Sequence, residues 1–245
     1  MKRNPIFAVP GLFALCAVIF LAAGCARRTP STTIVLVDPS ASVTMRARQE
    51  EFAAVARRIP RLLRGDSLLI IPITNDAEAG IEGRVLRFHA PAEREAYDAD
   101  LRRFRHQADK QLGAFANELL QSPVKRTDIL GALDVARQEF EAAPRGDRRT
   151  LIVLSDFLED DGSCSFVNAP QLANKASAAR FAQTLQEQHR FHLQDAAVQF
   201  GGLEGDDLAN LSPARREAVH AFWEEYFRAA GVKAEIRIDG IAVFE

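Results

Sequence analysis

The chain has 245 residues, 47% of them hydrophobic and 26% charged, which suits a globular protein with a full core and excludes a disordered or low-complexity chain. Its 31 basic and 33 acidic residues give a net charge of −2 with no basic tract, so nothing points to nucleic acid. Three cysteines, two of them within the first 25 residues, exclude a disulfide scaffold.

At the N-terminus, Lys2 and Arg3 precede an apolar run from Ile6 to Ala23, which Gly24 and Cys25 end. A basic start followed by an apolar stretch is an export signal rather than part of the fold. The signal resembles that of a bacterial lipoprotein, with Ala22-Ala23-Gly24-Cys25 as its lipobox, although Ala22 stands where leucine is preferred. The resemblance implies cleavage before Cys25, acylation of its sulfur, and a lipid anchor in the membrane. Ala26, in place of an aspartate, resembles signals sent to the periplasmic face of a bacterial outer membrane. A plain cleaved signal leaving a soluble periplasmic protein, an inner-membrane anchor, and a retained helix near the ~18-residue lower limit for spanning stand as alternatives. The expected organisation is a leader over residues 1–24, a short linker over 25–31, and one domain over 32–245. Cys164 then remains as a single, passive thiol.

The first strand is Thr33 to Val37, an unbroken β-branched and aliphatic run that reads as buried on both faces. Asp38 ends it, and Pro39 has no N–H with which to continue a ladder. A helix from about Thr44 buries Phe52, Val55, Ile59 and Leu62 on one face, while Arg46, Arg48, Arg57, Arg58 and Arg61 crowd the rest, which reads as a solvated face, with a surface for a phosphate or an anionic lipid as the alternative. Ser67 to Thr74 is a second buried strand, in which Pro72 requires a strand end or a bulge. Arg84 to Phe88 reads as a more polar edge strand. A long amphipathic helix follows from about Ala92 to Gln121, with a break expected at Gly113. Another opens at Thr127-Asp128, and Thr150 to Ser155 is a second continuous apolar strand that ends in Asp156. Glu159 to Pro170 reads as a solvated loop, Leu172 to Arg190 as a helix, and His192 to Phe200 as a strand. Gly201 to Leu211 reads as a loop. Ser212-Pro213 starts a helix carrying Trp223 and Tyr226 toward the core. The alternating stretch from Val232 to Ile238, then Asp239-Gly240 and Ile241 to Phe244, predicts an edge hairpin.

Strands alternating with helices predict an α/β fold: a doubly wound, mainly parallel sheet with helices on both faces. In such sheets the loops that follow strands share one edge, where ligands bind. Asp38 and Asp156 both follow highly apolar strands, so adjacent strands would bring the two carboxylates to one crevice. Asp38, Ser40 and Ser42 leave the first strand as hard oxygen donors at alternate positions, which suits a small hard cation. Thr127 precedes a helix start and, taken alone, reads as an N-cap; its place among the donors rests on the residues that accompany it.

This pattern resembles a von Willebrand factor type A domain with a metal-ion-dependent adhesion site: Asp38, Ser40 and Ser42 after the first strand, Thr127 in a later loop, and Asp156 after the fourth strand. The resemblance implies that these five residues hold Mg²⁺ or Mn²⁺, with one position left for an Asp or Glu of an exported or periplasmic partner. It implies a binding module rather than an enzyme. The alternatives are a metal-free scaffold and a Mg²⁺-dependent phosphoryl-transfer hydrolase of the haloacid dehalogenase type with Asp38 as nucleophile. That hydrolase motif needs an acid where Ser40 stands, and a hydroxyl is a poor general acid. The five histidines accompany the acids in no motif.

Overall fold

The computed structural model describes residues 28–75, 85–92, 98–193, 196–232 and 234–237. Its strands are β1 (Ser31–Val37), β2 (Ser67–Pro72), β3 (Leu86–His89), β4 (Arg148–Ser155), β5 (Ala196–Gly202) and β6 (Ala234–Arg237). Its helices are α1 (Met45–Ala56), α2 (Asp98–Gln121), α3 (Ile129–Ala142), α4 (Lys175–His189), the short α5 (Asp206–Asn210), and α6 (Pro213–Ala229). The strands form one sheet in the order β3-β2-β1-β4-β5-β6, parallel throughout except for β3 at one edge.

The β-branched and aliphatic runs became the sheet's centre, because only strands covered on both faces bury every side chain. In register, Val35 lies opposite Ile70 of β2 on one side and Ile152 of β4 on the other. Alternate residues then serve alternate faces. Val35, Val37, Ile70, Ile152 and Leu154 pack under α1 and α2 with Phe52, Val55 and Leu112. Ile34, Leu36, Ile71, Leu151 and Val153 pack under α3, α4 and α6. The second layer is dense in aromatic rings: Phe166, Phe222, Trp223, Tyr226 and Phe227 are all fully buried, with Phe166 edge-on to Phe222 at 4.7 Å and Trp223 5.3 Å from Phe200. Trp223 and Tyr226 are thus core residues, as their helix pattern implies.

Several elements differ in detail from the sequence expectations. α2 runs unbroken through Gly113, which sits on the exposed side with open space around it, so nothing there forces a kink. Pro60 ends α1 in a short 3₁₀ turn over Ile59–Arg61, as its missing N–H requires. Pro72 is the last residue of β2, in agreement with the strand end or bulge expected of it. The stretch expected as a loop over 201–211 instead completes β5 and adds α5. Residues 28–30 are fixed ahead of β1: Arg28 bonds the Asp66 carboxylate at 2.6–2.7 Å, and the Pro30 carbonyl accepts the Arg148 N–H at 3.0 Å. The expected hairpin turn and final strand lie outside the described residues. Among the described residues, no helix is long and apolar enough to cross a membrane.

Candidate metal centre

The order of the sheet reverses between β1, which leads outward to β2, and β4, which leads outward to β5. The loops leaving the two strands diverge and open a crevice at their carboxyl ends. Asp38 follows β1 and Asp156 follows β4, so the two carboxylates flank that crevice, both fully buried.

Hydrogen bonds fix the first loop. The Ser40 N–H donates to Asp38 Oδ1 at 3.0 Å, and the Ser155 hydroxyl donates to Asp38 Oδ2 at 2.7 Å. Ser40 Oγ lies 2.9 Å from Ser42 Oγ, and the Ser42 hydroxyl donates to Asp156 Oδ2, also at 2.9 Å. A continuous chain of oxygens therefore runs from one carboxylate loop to the other. The backbone around it is clamped: Ala41 N–H bonds the Val124 carbonyl at 3.0 Å, and Asp206 N–H bonds the Ser42 carbonyl at 2.9 Å. The clamping segments come from two distant parts of the chain, so the loop's shape is a tertiary property.

Asp156 is aimed by an unusual backbone. Phe157, next in the chain, has φ 69°, a left-handed conformation that costs a non-glycine residue about 1–3 kcal/mol. Three contacts hold it there. Trp223 Nε1–H donates to the Phe157 carbonyl at 2.9 Å, Phe157 stacks on Phe200 with ring centres 4.4 Å apart, and the Phe157 N–H donates to Ser155 Oγ at 3.2 Å. The turn lets the Leu158 N–H donate to Asp156 Oδ1 at 3.1 Å.

Thr127 reaches the same cleft by another route. Its backbone forms a two-way bridge with Asp160, with N···O distances of 3.1 and 2.8 Å. The N-cap of α3 is Asp128, whose carboxylate accepts the Gly131 N–H at 2.7 Å, so Thr127 is not spent on capping. Thr127 and Ser42 line a cleft of about 330 Å³ together with Asp160, Asp206 and Asp207.

Electrostatically the site is under strain. Burial raises the Asp38 carboxyl above its ordinary value, against the lowering effect of the hydrogen bonds from Ser155 and Ser40. Burial, and then the Asp38 charge, push Asp156 from 3.8 up to about 7. Two further acids lie close by. Glu51 of α1 is fully buried and its Oε1 accepts the Asp38 N–H at 2.9 Å; burial and the Asp38 charge raise it well above the ordinary carboxyl range. Glu159 is fully buried too, and its Oε2 accepts the Ile129 and Leu130 N–H groups at 2.9 and 3.1 Å, which satisfies the start of α3.

The structure thus brings Asp38, Ser40, Ser42 and Asp156 together, and sets Thr127 on the wall of a cleft that Ser42, but not the other three, also lines. Two sequence expectations needed correction. Glu159 is a buried helix anchor rather than a solvated loop residue, because α3 begins against it. Arg48 is buried rather than on the solvated face, one helical turn from Glu51, whose carboxyl its charge lowers. Sequence reasoning missed Ser155, Glu51 and Gly205. Glu51 had a signal, an acid beside Phe52 on the apolar face of α1. Gly205 had none: a Cβ there would stand 2.6 Å from Asp156 Oδ2, so only glycine lets that loop close over the carboxylate. Cys164 is half-buried, and burial together with Glu159, Asp161 and Asp160 pushes its thiol up to about 11, which suits a passive role.

The donor set fits a hard divalent cation. Two carboxylates disfavoured as neighbouring anions and two linked hydroxyls are oxygen ligands of the kind Mg²⁺ prefers. Among the described residues, no group of three or more His, Cys, Asp and Glu side chains is placed to hold a metal, so the hydroxyls are essential to any site here.

No protein-family model matches the chain, and no curated protein sequence matches it. Among solved structures, it is similar to a von Willebrand factor type A protein from Catenulispora acidiphila, at 18% identity over 86% of this chain and 39% of that one, with a TM-score of 0.42. It is similar to BatB, a conserved hypothetical protein from Bacteroides thetaiotaomicron, at 14% identity over 84% of this chain and 90% of that one, TM-score 0.43. The open conformation of the pilus adhesin SpaC from Lactobacillus rhamnosus GG is similar at 11% identity over 87% of this chain and 28% of that one, TM-score 0.48. The chain therefore spans well under half of the first and third of these proteins.

Proposed function

We propose that this chain is a divalent-cation-dependent protein-binding module of the von Willebrand factor A type, anchored by lipid at Cys25. In this reading Asp38, Ser40, Ser42, Thr127 and Asp156 hold Mg²⁺ or Mn²⁺, and the cation's remaining position takes an Asp or Glu from an exported partner. One observation carries it: two buried carboxylates joined by a chain of serine hydroxyls, at the sheet's switch point and beside an accessible cleft. When bound, the cation supplies positive charge that offsets the repulsion between the two aspartates and attracts an anionic side chain. This chain's own residues set the rest. Ser155 and the Ser40 N–H orient Asp38, while the Leu158 N–H and the Ser42 hydroxyl orient Asp156.

The test is thermal unfolding with and without cation. Mg²⁺ or Mn²⁺ at about 100 times its Kd stabilises by about 2.7 kcal/mol, and Asp38→Ala is expected to abolish that shift. A shift of the same size in Asp38→Ala would move the cation to another site. A partner that stays bound through EDTA would place recognition on another surface.

A further inference from the structure

The sheet edge opposite the candidate metal centre is rich in arginine. The loops that lead into the parallel strands emerge there and carry Arg57 after α1, Arg64 before β2, Arg145 and Arg148 before β4, and Arg190 after α4. Arg57, Arg145, Arg148 and Arg190 are exposed and, among the described residues, enter no ion pair. The acids of the same edge are largely taken up. Asp66 is bonded by Arg28 at 2.6 Å, Asp98 faces Arg64 at 3.5 Å, and Asp147 accepts the Thr32 hydroxyl at 2.9 Å, leaving Glu187 exposed on the last turn of α4. The far edge holds Asp38, Asp156, Glu159, Asp160, Asp206 and Asp207, which outnumber the Lys125 and Arg126 that also line its cleft. A chain with a net charge of only −2 is therefore polarised along its strands, acidic at the cleft and basic at the other end.

The chain enters the fold at the basic end. Arg28 is tied to Asp66 and to the Arg64 carbonyl, and Pro30 is tied to Arg148. Three positions separate Arg28 from Cys25, a span of at most about 11 Å when fully extended. That reach is close to the ~8 Å screening length at physiological ionic strength. The seven residues of β1 carry the candidate centre roughly 23 Å further away.

We propose that this arginine-rich edge lies against anionic phospholipid headgroups and so points the cation site away from the membrane, an assignment that rests on lipidation of Cys25. Each arginine held near an anionic surface strengthens association about fivefold. Several together orient a domain that its lipid alone would leave free to rotate.

The full chain bound to vesicles provides the test, with phosphatidylcholine alone compared against about three parts phosphatidylcholine to one part phosphatidylglycerol. Flotation reports attachment, and amide hydrogen exchange reports orientation. The expected result is attachment to both vesicle types, with slower exchange at residues 57–66 and 143–149 only on the anionic ones. About 0.5 M salt should reverse the slowing, and the Arg57→Glu/Arg148→Glu double variant should lack it while floating as before. Attachment to both with equal exchange overturns the docking edge and leaves the anchor standing. Flotation with anionic vesicles alone, reversed by salt, overturns the anchor and supports the edge; flotation with neither overturns both. Protection that grows with protein concentration in the absence of vesicles assigns the edge to a second copy of the chain and overturns the lipid reading.

Discussion

Replacing Asp156 by asparagine removes a charge that the metal-free fold tolerates poorly. Its carboxyl stands at about 7 when folded, against 3.8 for the free group, because it is buried beside Asp38. The folded chain therefore holds more protons than the unfolded chain between those two values. Metal-free stability falls as pH rises through that window, and the loss is complete above about pH 7. At 1.36 kcal/mol for each tenfold change, the gap amounts to roughly 4 kcal/mol at pH 8. Asparagine keeps an oxygen for the Leu158 N–H but loses the acceptor of the Ser42 hydroxyl, a cost of about 1 kcal/mol. Asp156→Asn is expected to stabilise the chain in EDTA at pH 8 by about 3 kcal/mol, or roughly 6–12 °C in Tm for a domain of this size. At pH 5 the native carboxyl is mostly protonated, and the gain should shrink to within about 1 kcal/mol. The same variant should lose the response to Mg²⁺. Melting curves at both pH values, with EDTA and with Mg²⁺, decide the matter. An equal gain at pH 5 and pH 8 would refute the electrostatic reasoning, and a retained Mg²⁺ shift would remove Asp156 from the proposed cation site.

Gly205→Ala places a methyl group 2.6 Å from Asp156 Oδ2; it should cost about 1–3 kcal/mol by overpacking and weaken Mn²⁺ binding measured by calorimetry, with unchanged binding counting against the close approach. Trp223→Phe leaves the Phe157 carbonyl without its 2.9 Å donor. Denaturant unfolding should show a loss of about 1–3 kcal/mol, and the left-handed Phe157 turn that aims Asp156 should loosen, visible as faster amide exchange at Leu158. Cys25→Ser should abolish labelling by a palmitate analogue in cells; label that persists would exclude that thiol as the anchor.

The sequence by itself determined the parts that depend on local chemistry. Uninterrupted aliphatic runs in β1 and β4 require cover on both faces, as at the centre of a doubly wound sheet. Pro39 and the alternation of Asp38, Ser40 and Ser42 mark a loop of hard oxygens, and Phe222, Trp223, Tyr226 and Phe227 lie on the buried face of α6. Tertiary structure decided which of these meet. Pairing β1 with β4 set Asp38 and Asp156 across one crevice, a contact over more than a hundred residues that no local pattern encodes. The same packing buried Glu159, which reads from sequence as part of a solvated loop, and Glu51, because each accepts backbone N–H groups that the assembled fold brings to it. It also fixed the need for glycine at position 205. Side-chain type follows from the sequence, but burial, and with it the energy of a charge, depends on which neighbours the fold supplies.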